Sequence, residues 1–330
     1  MKTGIIFYGF RHSHINGLYR KAVSHAGIRI AGCLEPDPNA RAAAEKDLGA
    51  VFSRESYETL LEDPRVDAVA IGCAYGHRGE AVIRALEAGK HVLSDKPLCT
   101  DLAQLETIRR LSEEKGLTVG CMLDLRDLPQ TRAARAILQS GRLGKIRNVS
   151  FNGQHCLSYG SRPGWYFEPG LHGGTINDLA IHGIDLVRLL TGEEFDRVDA
   201  ARVWNAYAHR HPHFKDSALF MARLTGGAGV LTDVSYSTPL VPYTLPSYWE
   251  FRFWCEKGML TFNYEKSDVT VYEAGRDAPV TEPGIREGGD YLTDFLEAVK
   301  TGNPALTRDV LRSTETALTL QKIADREGSV

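Results

Sequence analysis

The sequence predicts a doubly wound parallel α/β domain over residues 1–121, followed over residues 122–330 by an α+β domain with a large open, mostly antiparallel sheet. Three observations carry this prediction. Up to about residue 122, short apolar runs alternate with amphipathic stretches, as strand–helix–strand units of one hand require. The run Ala68-Val69-Ala70-Ile71 is apolar throughout, which suits a strand covered on both faces. From about residue 198 to 272, strand-like segments follow one another without helices. Turn residues such as Thr225-Gly226-Gly227 and Glu256-Lys257-Gly258 separate them, which points to antiparallel pairing.

Taken in order, strands are expected over residues 4–8, 28–34, 68–72, 91–93 and 118–122, with helices over 15–26, 39–48, 57–61, 79–88 and 102–115 between them. A helix over 131–140 and a strand over 147–154 open the second domain. An irregular Gly/Pro-rich stretch from 158 to 174 leads to a helix over 177–190, then the run of strands, then closing helices over 291–300 and 309–326. No internal repeat or low-complexity segment interrupts this order.

A chain of 330 residues accommodates two such domains. Its 43% hydrophobic and 25% charged content is that of an ordinary globular protein. The formal charge is -3, from 39 basic and 42 acidic residues, with no long run of one sign. Neither nucleic acid nor a membrane surface is therefore an expected partner. Six cysteines occur without a C-x-x-C pair, which is neither a zinc spacing nor a disulfide framework and suits a reducing, cytoplasmic setting. The first apolar run stops at Gly9, short of the core of a secretory signal, and no 18-residue apolar stretch is present.

The turn Gly9-Phe10-Arg11-His12-Ser13-His14 stands where a Rossmann dinucleotide site carries its glycine-rich loop. Glu35, in Leu34-Glu35-Pro36-Asp37-Pro38, closes the second strand, where an acid takes the ribose hydroxyls and repels the extra phosphate of NADP. That favours NAD. Only the first glycine of the fingerprint is kept, since Arg11 and His14 fill the next two positions. Arg11 could pair with a phosphate and His12 could hydrogen-bond one. The turn reads equally well as a plain strand–helix connection that binds nothing, and acids after strands are common.

Two further segments carry chemistry. In Gly89-Lys90-His91-Val92-Leu93-Ser94-Asp95-Lys96-Pro97-Leu98 a lysine emerges at the carboxyl end of a strand, where open α/β sheets bind ligands. A lysine there can donate or accept a proton if its surroundings lower its pKa, although most lysines are solvated surface charges. In the expected helix from 177, Asp178, His182 and Asp185 fall at i, i+4 and i+7 on one stripe. A histidine flanked by carboxylates suits proton transfer. The plainer alternative is a helix cap at Asp178 and a satisfied core histidine. The run His209-Arg210-His211-Pro212-His213 reads as a solvated loop rather than a metal site.

Together these segments resemble the glucose–fructose oxidoreductase, inositol 2-dehydrogenase and rhizopine-catabolism (Gfo/Idh/MocA) family. Asp95-Lys96-Pro97-Leu98 matches its Glu-Lys-Pro signature with Asp for Glu. The stretch from Gly173 to Asp185 matches its Gly-Gly, Asp, His and Asp pattern. Cys73-Ala74-Tyr75-Gly76-His77, Arg126-Asp127-Leu128-Pro129 and Ser140-Gly141-Arg142-Leu143-Gly144-Lys145 are similar to further landmarks, and the likeness spans essentially the whole chain. The resemblance implies an NAD-dependent oxidoreductase with Lys96, Asp178 and His182 at the reacting centre, His182 acting as acid and base. It implies cofactor contacts from Gly9, Phe10, Arg11, His12, Glu35, Ala74, Tyr75, His77, Asp95, Lys96 and Pro97, and a cis Lys96–Pro97 bond. Substrate contacts are expected of Lys96, Arg126, His155, Arg162, Trp165, His172, Asp178 and His182, with no metal. The stretch from Tyr159 to Tyr166 would offer aromatic faces and Arg162 to a polyhydroxylated ligand, or would simply be a packed loop. The second domain's sheet would form the interface of a homodimer or homotetramer.

The sequence departs from the family at the glycine turn and at His172, which replaces a glycine opening the second motif. Three functions follow. The first is hydride transfer between NAD and a secondary alcohol of a sugar, sugar acid or cyclitol. The second is a glycoside-cleaving or eliminating enzyme that recycles bound NAD; His155 and His172 would suit that or a metal site. The third is a non-catalytic sensor with impaired cofactor binding. Net NADH release separates the first two, and a titration with no NAD binding would favour the third.

Overall fold

A computed structural model describes residues 2–245 and 247–327; the remaining positions, including 328–330 at the end of the expected second domain, lie outside the described residues. The chain forms two compact units that are interleaved in sequence. The first is Met1–Met122, Pro163–Gly173 and Tyr291–Thr314, and the second is Leu123–Arg162, Gly174–Asp290 and Glu315–Val330.

In the first unit, β1 (Thr3–Tyr8) leads through α1 (His14–Ser24), β2 (Ile28–Leu34), α2 (Pro38–Leu48), α3 (Tyr57–Glu62) and β3 (Ala68–Ile71) to α4 (Tyr75–Glu87). The segment continues through β4 (His91–Ser94) and α5 (Leu102–Lys115) to β5 (Val119–Cys121). All five strands pair in parallel in the order β2-β1-β3-β4-β5, as the alternating pattern predicts. The order reverses at β1, so the carboxyl ends of β1 and β3 form the switch point where such sheets take ligands. Local chemistry sets the helix ends. The Asp37 side chain accepts from the Asn39 and Ala40 N–H groups ahead of α2, and Asp101 does the same for α5, which stops at Gly116 with φ 63°. Helix α4 begins at Tyr75, a turn earlier than expected. Gly76 and Gly79 lower its helix propensity, yet a Cβ on Gly79 would lie 2.0 Å from Gln104 of α5.

The second unit holds α6 (Pro129–Gln139) and β6 (Ile146–Gln154), then a single π turn, Ile176–Ala180, that runs into α7 (Ile181–Thr191). Seven strands follow: β7 (Phe195–Trp204), β8 (Ser217–Leu224), β9 (Gly229–Ser235), β10 (Glu250–Cys255), β11 (Gly258–Asn263), β12 (Asp268–Glu273) and β13 (Val280–Pro283). The last lies beyond the region where strands are expected, and its alternation is too brief to read. The eight strands run β13-β12-β11-β10-β6-β9-β8-β7, antiparallel except for the parallel β6–β9 pair. Burial alternates along them. Phe151, Phe220, Phe251 and Phe253 face the core, while Leu219, Met221, Leu231 and Trp254 stand exposed on the opposite face.

Two helices close the chain, α8 (Tyr291–Thr301) and α9 (Ala305–Glu327). Leu292 and Phe295 of α8 enter the first unit's core beside Phe7, Leu93 and Met122. Burying the Phe295 ring alone contributes about 2–3 kcal/mol. The Val119 N–H donates to Thr307 Oγ1 at 3.0 Å, tying the start of α9 to β5. Further along α9, Gln321 Oε1 accepts the Ile176 N–H at 2.9 Å within the second unit. Among the described residues no helix is long and apolar enough to cross a membrane.

Candidate functional site

At the switch point of the first unit the turn after β1 is tightly tied. Gly9 has φ +85°, and a Cβ there would meet the Cys73 backbone nitrogen at 2.4 Å, so only glycine fits. Its N–H donates to Leu34 O at 2.9 Å, and the Arg11 N–H donates to Gly72 O at 3.0 Å. Phe10 is buried against Phe7, Tyr19 and Phe52. Glu35, 1% exposed, accepts the Phe10 N–H at 2.5 Å and the Asp37 N–H at 2.8 Å. Burial raises its pKa, and those two donors oppose the rise. The Arg11 guanidinium lies 3.6 Å from the Asp37 carboxylate.

The same turn reaches the end of β4. His12 Nδ1 and Asp95 Oδ2 are 2.6 Å apart, His14 Nδ1 is 3.3 Å from Asp95 Oδ1, and Arg78 donates to Asp95 Oδ2 at 2.8 Å. Asp95 and Arg78 are fully buried. Burial would raise the Asp95 carboxyl, but the Arg78 guanidinium and the two imidazoles outweigh it and hold it well below the usual range. Burial lowers His12 to about 4 against the pull of Asp95, so its ring is neutral at pH 7. A carboxylate only accepts, so the hydrogen of the neutral ring is on Nδ1 and Nε2 presents a lone pair. The three ligand atoms of His12, His14 and Asp95 lie within 4.8 Å of one another, a spacing that could also hold a metal ion. Arg78 reaches further, donating to the carbonyls of Lys96 and, at 3.2 Å, of Pro97. Lys96 is 4% exposed, and the Lys96–Pro97 bond is cis.

An aromatic group lies beside this cluster. Tyr75, the first residue of α4, shares a 2.7 Å hydrogen bond between its hydroxyl and that of Tyr166, and its ring carries the Arg78 guanidinium 4.4 Å from the centroid. His12 and His172 pack against both tyrosines. Trp165, 2% exposed, packs edge-on against Tyr75 and at a tilt against Tyr166, so its indole fills the first unit's interior. Ala74 precedes α4, and His77, the third residue of that helix, lies exposed.

In the second unit the π turn changes the spacing that a regular helix would give. Asp178 accepts from the Tyr236 hydroxyl, and Arg126 grips Asp185 with two guanidinium nitrogens. His182 has its Nδ1 4.0 Å from Asp124 and its ring 5.4 Å from that of Trp249. His155 packs against Tyr236, Tyr248 and Trp249. Trp249 is buried with φ +59°, a strained conformation for a bulky residue and one that gathers at functional sites. Arg162 donates to Leu157 O and Cys156 O, both at 2.9 Å, with its guanidinium over the Tyr236 ring.

Each unit thus gathers its own share of the expected residues. The first brings together Gly9, Phe10, Arg11, His12, Glu35, Tyr75, Asp95, Lys96, Pro97 and His172. The second brings together Arg126, His155, Arg162, Asp178 and His182. Arg78, Asp124, Tyr236, Tyr248 and Trp249 were not singled out by sequence. Arg78 stands directly after the Cys73–His77 landmark, but nothing local marks it as the partner of Asp95.

Comparison with known proteins agrees with this architecture. Residues 1–122 match the family model described as "Oxidoreductase family, NAD-binding Rossmann fold", and residues 131–261 match "GFO/IDH/MocA C-terminal domain". A levoglucosan dehydrogenase from Pseudarthrobacter phenanthrenivorans is 25% identical over 257 residues, 71% of this chain and 65% of that protein. The chain spans 65% and 52% of the first two curated relatives it matches. A putative oxidoreductase from Erwinia carotovora atroseptica superposes with TM-score 0.88 at 23% identity, over 98% of this chain and 99% of that one. A levoglucosan dehydrogenase in complex with NADH and levoglucosan superposes with TM-score 0.81 at 20% identity, over 99% and 98%. At such identities these two likenesses concern the fold.

Proposed function

The chain belongs to the Gfo/Idh/MocA oxidoreductase family, and from that premise we propose that it transfers a hydride between NAD and a secondary alcohol of a sugar, sugar acid or cyclitol. The observation that carries this reading is the Asp95-Lys96-Pro97 turn. It holds a nearly buried lysine at the carboxyl edge of a parallel sheet, with the backbone clamped by Arg78.

The first unit's residues fit a dinucleotide. Gly9, where a Cβ would strike the Cys73 backbone, lets the turn lie close on the sheet, α1 directs the positive end of its dipole at the turn, and Glu35 closes β2. When bound, the nicotinamide supplies the hydride chemistry. The protein's part is orientation and proton handling. In this reading Lys96 donates to the oxygen of the reacting hydroxyl or carbonyl. His182 takes up or returns the proton, and Asp178, held by Tyr236, orients the hydroxyl. Arg126, His155, Arg162 and His172 bound the substrate side, while Trp165, expected there from the sequence, is buried and supports Tyr75 and Tyr166. Gly9, Phe10, Arg11, His12, Ala74, Tyr75, His77, Asp95 and Pro97 bound the cofactor. The Glu35 carboxylate, set under the turn, opposes a second phosphate and favours NAD over NADP. Four buried thiols among six free cysteines suit a reducing cytoplasm. The exposed face of the eight-stranded sheet is the surface for self-association.

The test is a substrate panel of anhydro sugars, aldoses, sugar acids and inositols, followed by NADH formation. Lys96→Ala and His182→Ala are expected to lower turnover by ~10²–10⁴; unchanged rates in both overturn the assignment. NADH is expected to bind more tightly than NADPH in a fluorescence titration, and the reverse order removes the NAD preference. Product formed without net NADH points instead to an enzyme that recycles its cofactor.

A further inference from the structure

We infer that His12 is a positioning residue whose bond to Asp95 latches the Gly9–His14 turn to the Asp95–Pro97 turn. Its consequence for affinity rests on the dinucleotide reading above. In a full glycine fingerprint the second and third glycines let the loop and helix settle closely on the sheet and phosphates. Arg11 and His14 fill those positions here, so the turn needs another tether.

The tether is continuous. His12 Nδ1 donates to Asp95 Oδ2 at 2.6 Å, and that same oxygen accepts from Arg78 at 2.8 Å. Arg78 then donates to the carbonyls of Lys96 and Pro97. The Asp95 N–H donates to Ile71 O at 2.8 Å, fixing the turn to β3. The His12 ring is wedged at 5.4 Å from Tyr75 and 6.4 Å from Tyr166, so it has little room to swing away. While Nδ1–H serves Asp95, Nε2 offers a lone pair and no hydrogen. With Nδ1–H committed to Asp95, His12 acts on the turn through that carboxylate.

The spacing of His12, His14 and Asp95 would also admit a metal ion. Charge decides against it. Arg78 already pairs with the one carboxylate at 2.8 Å, so a divalent ion would have to compete with a buried guanidinium for it. The geometry favours a hydrogen-bonded latch.

The test compares the full chain with its His12→Ala and His12→Asn variants in chelator-treated buffer, the Asn amide keeping a donor near the place of Nδ1. Amide hydrogen exchange is followed over residues 9–14 and 95–98, and NADH is titrated by fluorescence. In His12→Ala exchange is expected to rise in both turns together and NADH affinity to fall about 10- to 100-fold, as for one lost charge-assisted hydrogen bond. His12→Asn is expected to stay within about threefold of the natural protein. If His12→Ala does not fold, His12→Phe fills the same space without the donor. Faster exchange in the 9–14 turn alone, or an Asn variant as weak as the Ala one, overturns the latch. So does an NADH affinity that zinc restores in the natural protein and not in His14→Ala. If the natural protein binds neither NADH nor NADPH, the dinucleotide reading fails, and the exchange data still decide the latch.

Discussion

Asp95 and His12 are each held in one protonation state, Asp95 by Arg78 and the two imidazoles and His12 by burial, and that gives the protein a definite acid response. Burial lowers His12 to about 4, so the folded chain keeps a neutral ring where the unfolded chain would carry a proton. A base whose folded pKa lies below its unfolded value adds stability above the unfolded pKa, near 6.5. That stability is lost as pH falls through the window down to about 4. Asp95, held well below 3.8, adds stability that is lost only at still lower pH. By pH 5 the His12 contribution has fallen by about 2 kcal/mol, since each pKa unit is worth about 1.4 kcal/mol. His91, also lowered by burial, slopes the same way, so the measurement must be a difference. Urea midpoints between pH 7 and 5 are expected to fall more steeply for the natural protein than for His12→Asn; equal slopes would show that His12 charges freely in the fold. His14, Arg78 and Lys96 face the same pair, and none of them removes this sign.

At the scale of the element, the turn after β1 depends on Gly9 more than on any other residue. Gly9→Ala forces a side chain to φ +85° and a Cβ against the Cys73 backbone. The expected cost is about 1–3 kcal/mol of stability with a marked loss of NADH affinity, read by urea unfolding and fluorescence titration. An Ala variant as stable and as tightly binding as the natural protein would show that the turn can shift. This glycine was legible because a Rossmann turn demands it, and the strands and helices of the first 122 residues were legible because period and caps agree. Asp37 and Asp101 announce the starts of α2 and α5. What stayed hidden were departures from regular geometry and contacts across the fold. An i, i+4 stripe of Asp178, His182 and Asp185 assumes an α-helix, and the π turn over Ile176–Ala180 leaves those side chains holding Tyr236, approaching Asp124 and holding Arg126. No spacing rule links Arg78 to Asp95, or Trp249 to His155 and His182, because those pairs meet only after distant segments return. The start of α4 was obscured by its two glycines.

At the scale of the molecule, the two units share the chain in alternating pieces, since residues 163–173 and 291–314 return to the first after the second has begun. Composition does not change at those returns, so the sequence reads as two contiguous halves. The eight-stranded sheet of the second unit covers one face with its own core and leaves the other open. On that open face Trp204, Leu219, Met221, Leu231 and Trp254 are each 40–55% exposed. Arg223, Arg252, Asp199 and Asn148 share that face with them, a mixture of large apolar and polar side chains such as a subunit interface has. An isolated antiparallel sheet would carry polar residues there, and edge charges alone do not explain five large apolar side chains on one surface. The chain is therefore expected to run in light scattering at a multiple of its 36.5 kDa mass. Met221 and Leu231 are direct cross-strand neighbours of β8 and β9, so changing both to arginine places like charges at the centre of the face. That double variant is expected to be monomeric at micromolar concentration while keeping its far-UV spectrum, because exposed substitutions of this kind change the fold's own stability by only about 0.5 kcal/mol each. A natural protein that is already monomeric, or a double variant that keeps its oligomeric mass, would show that this face is not the interface.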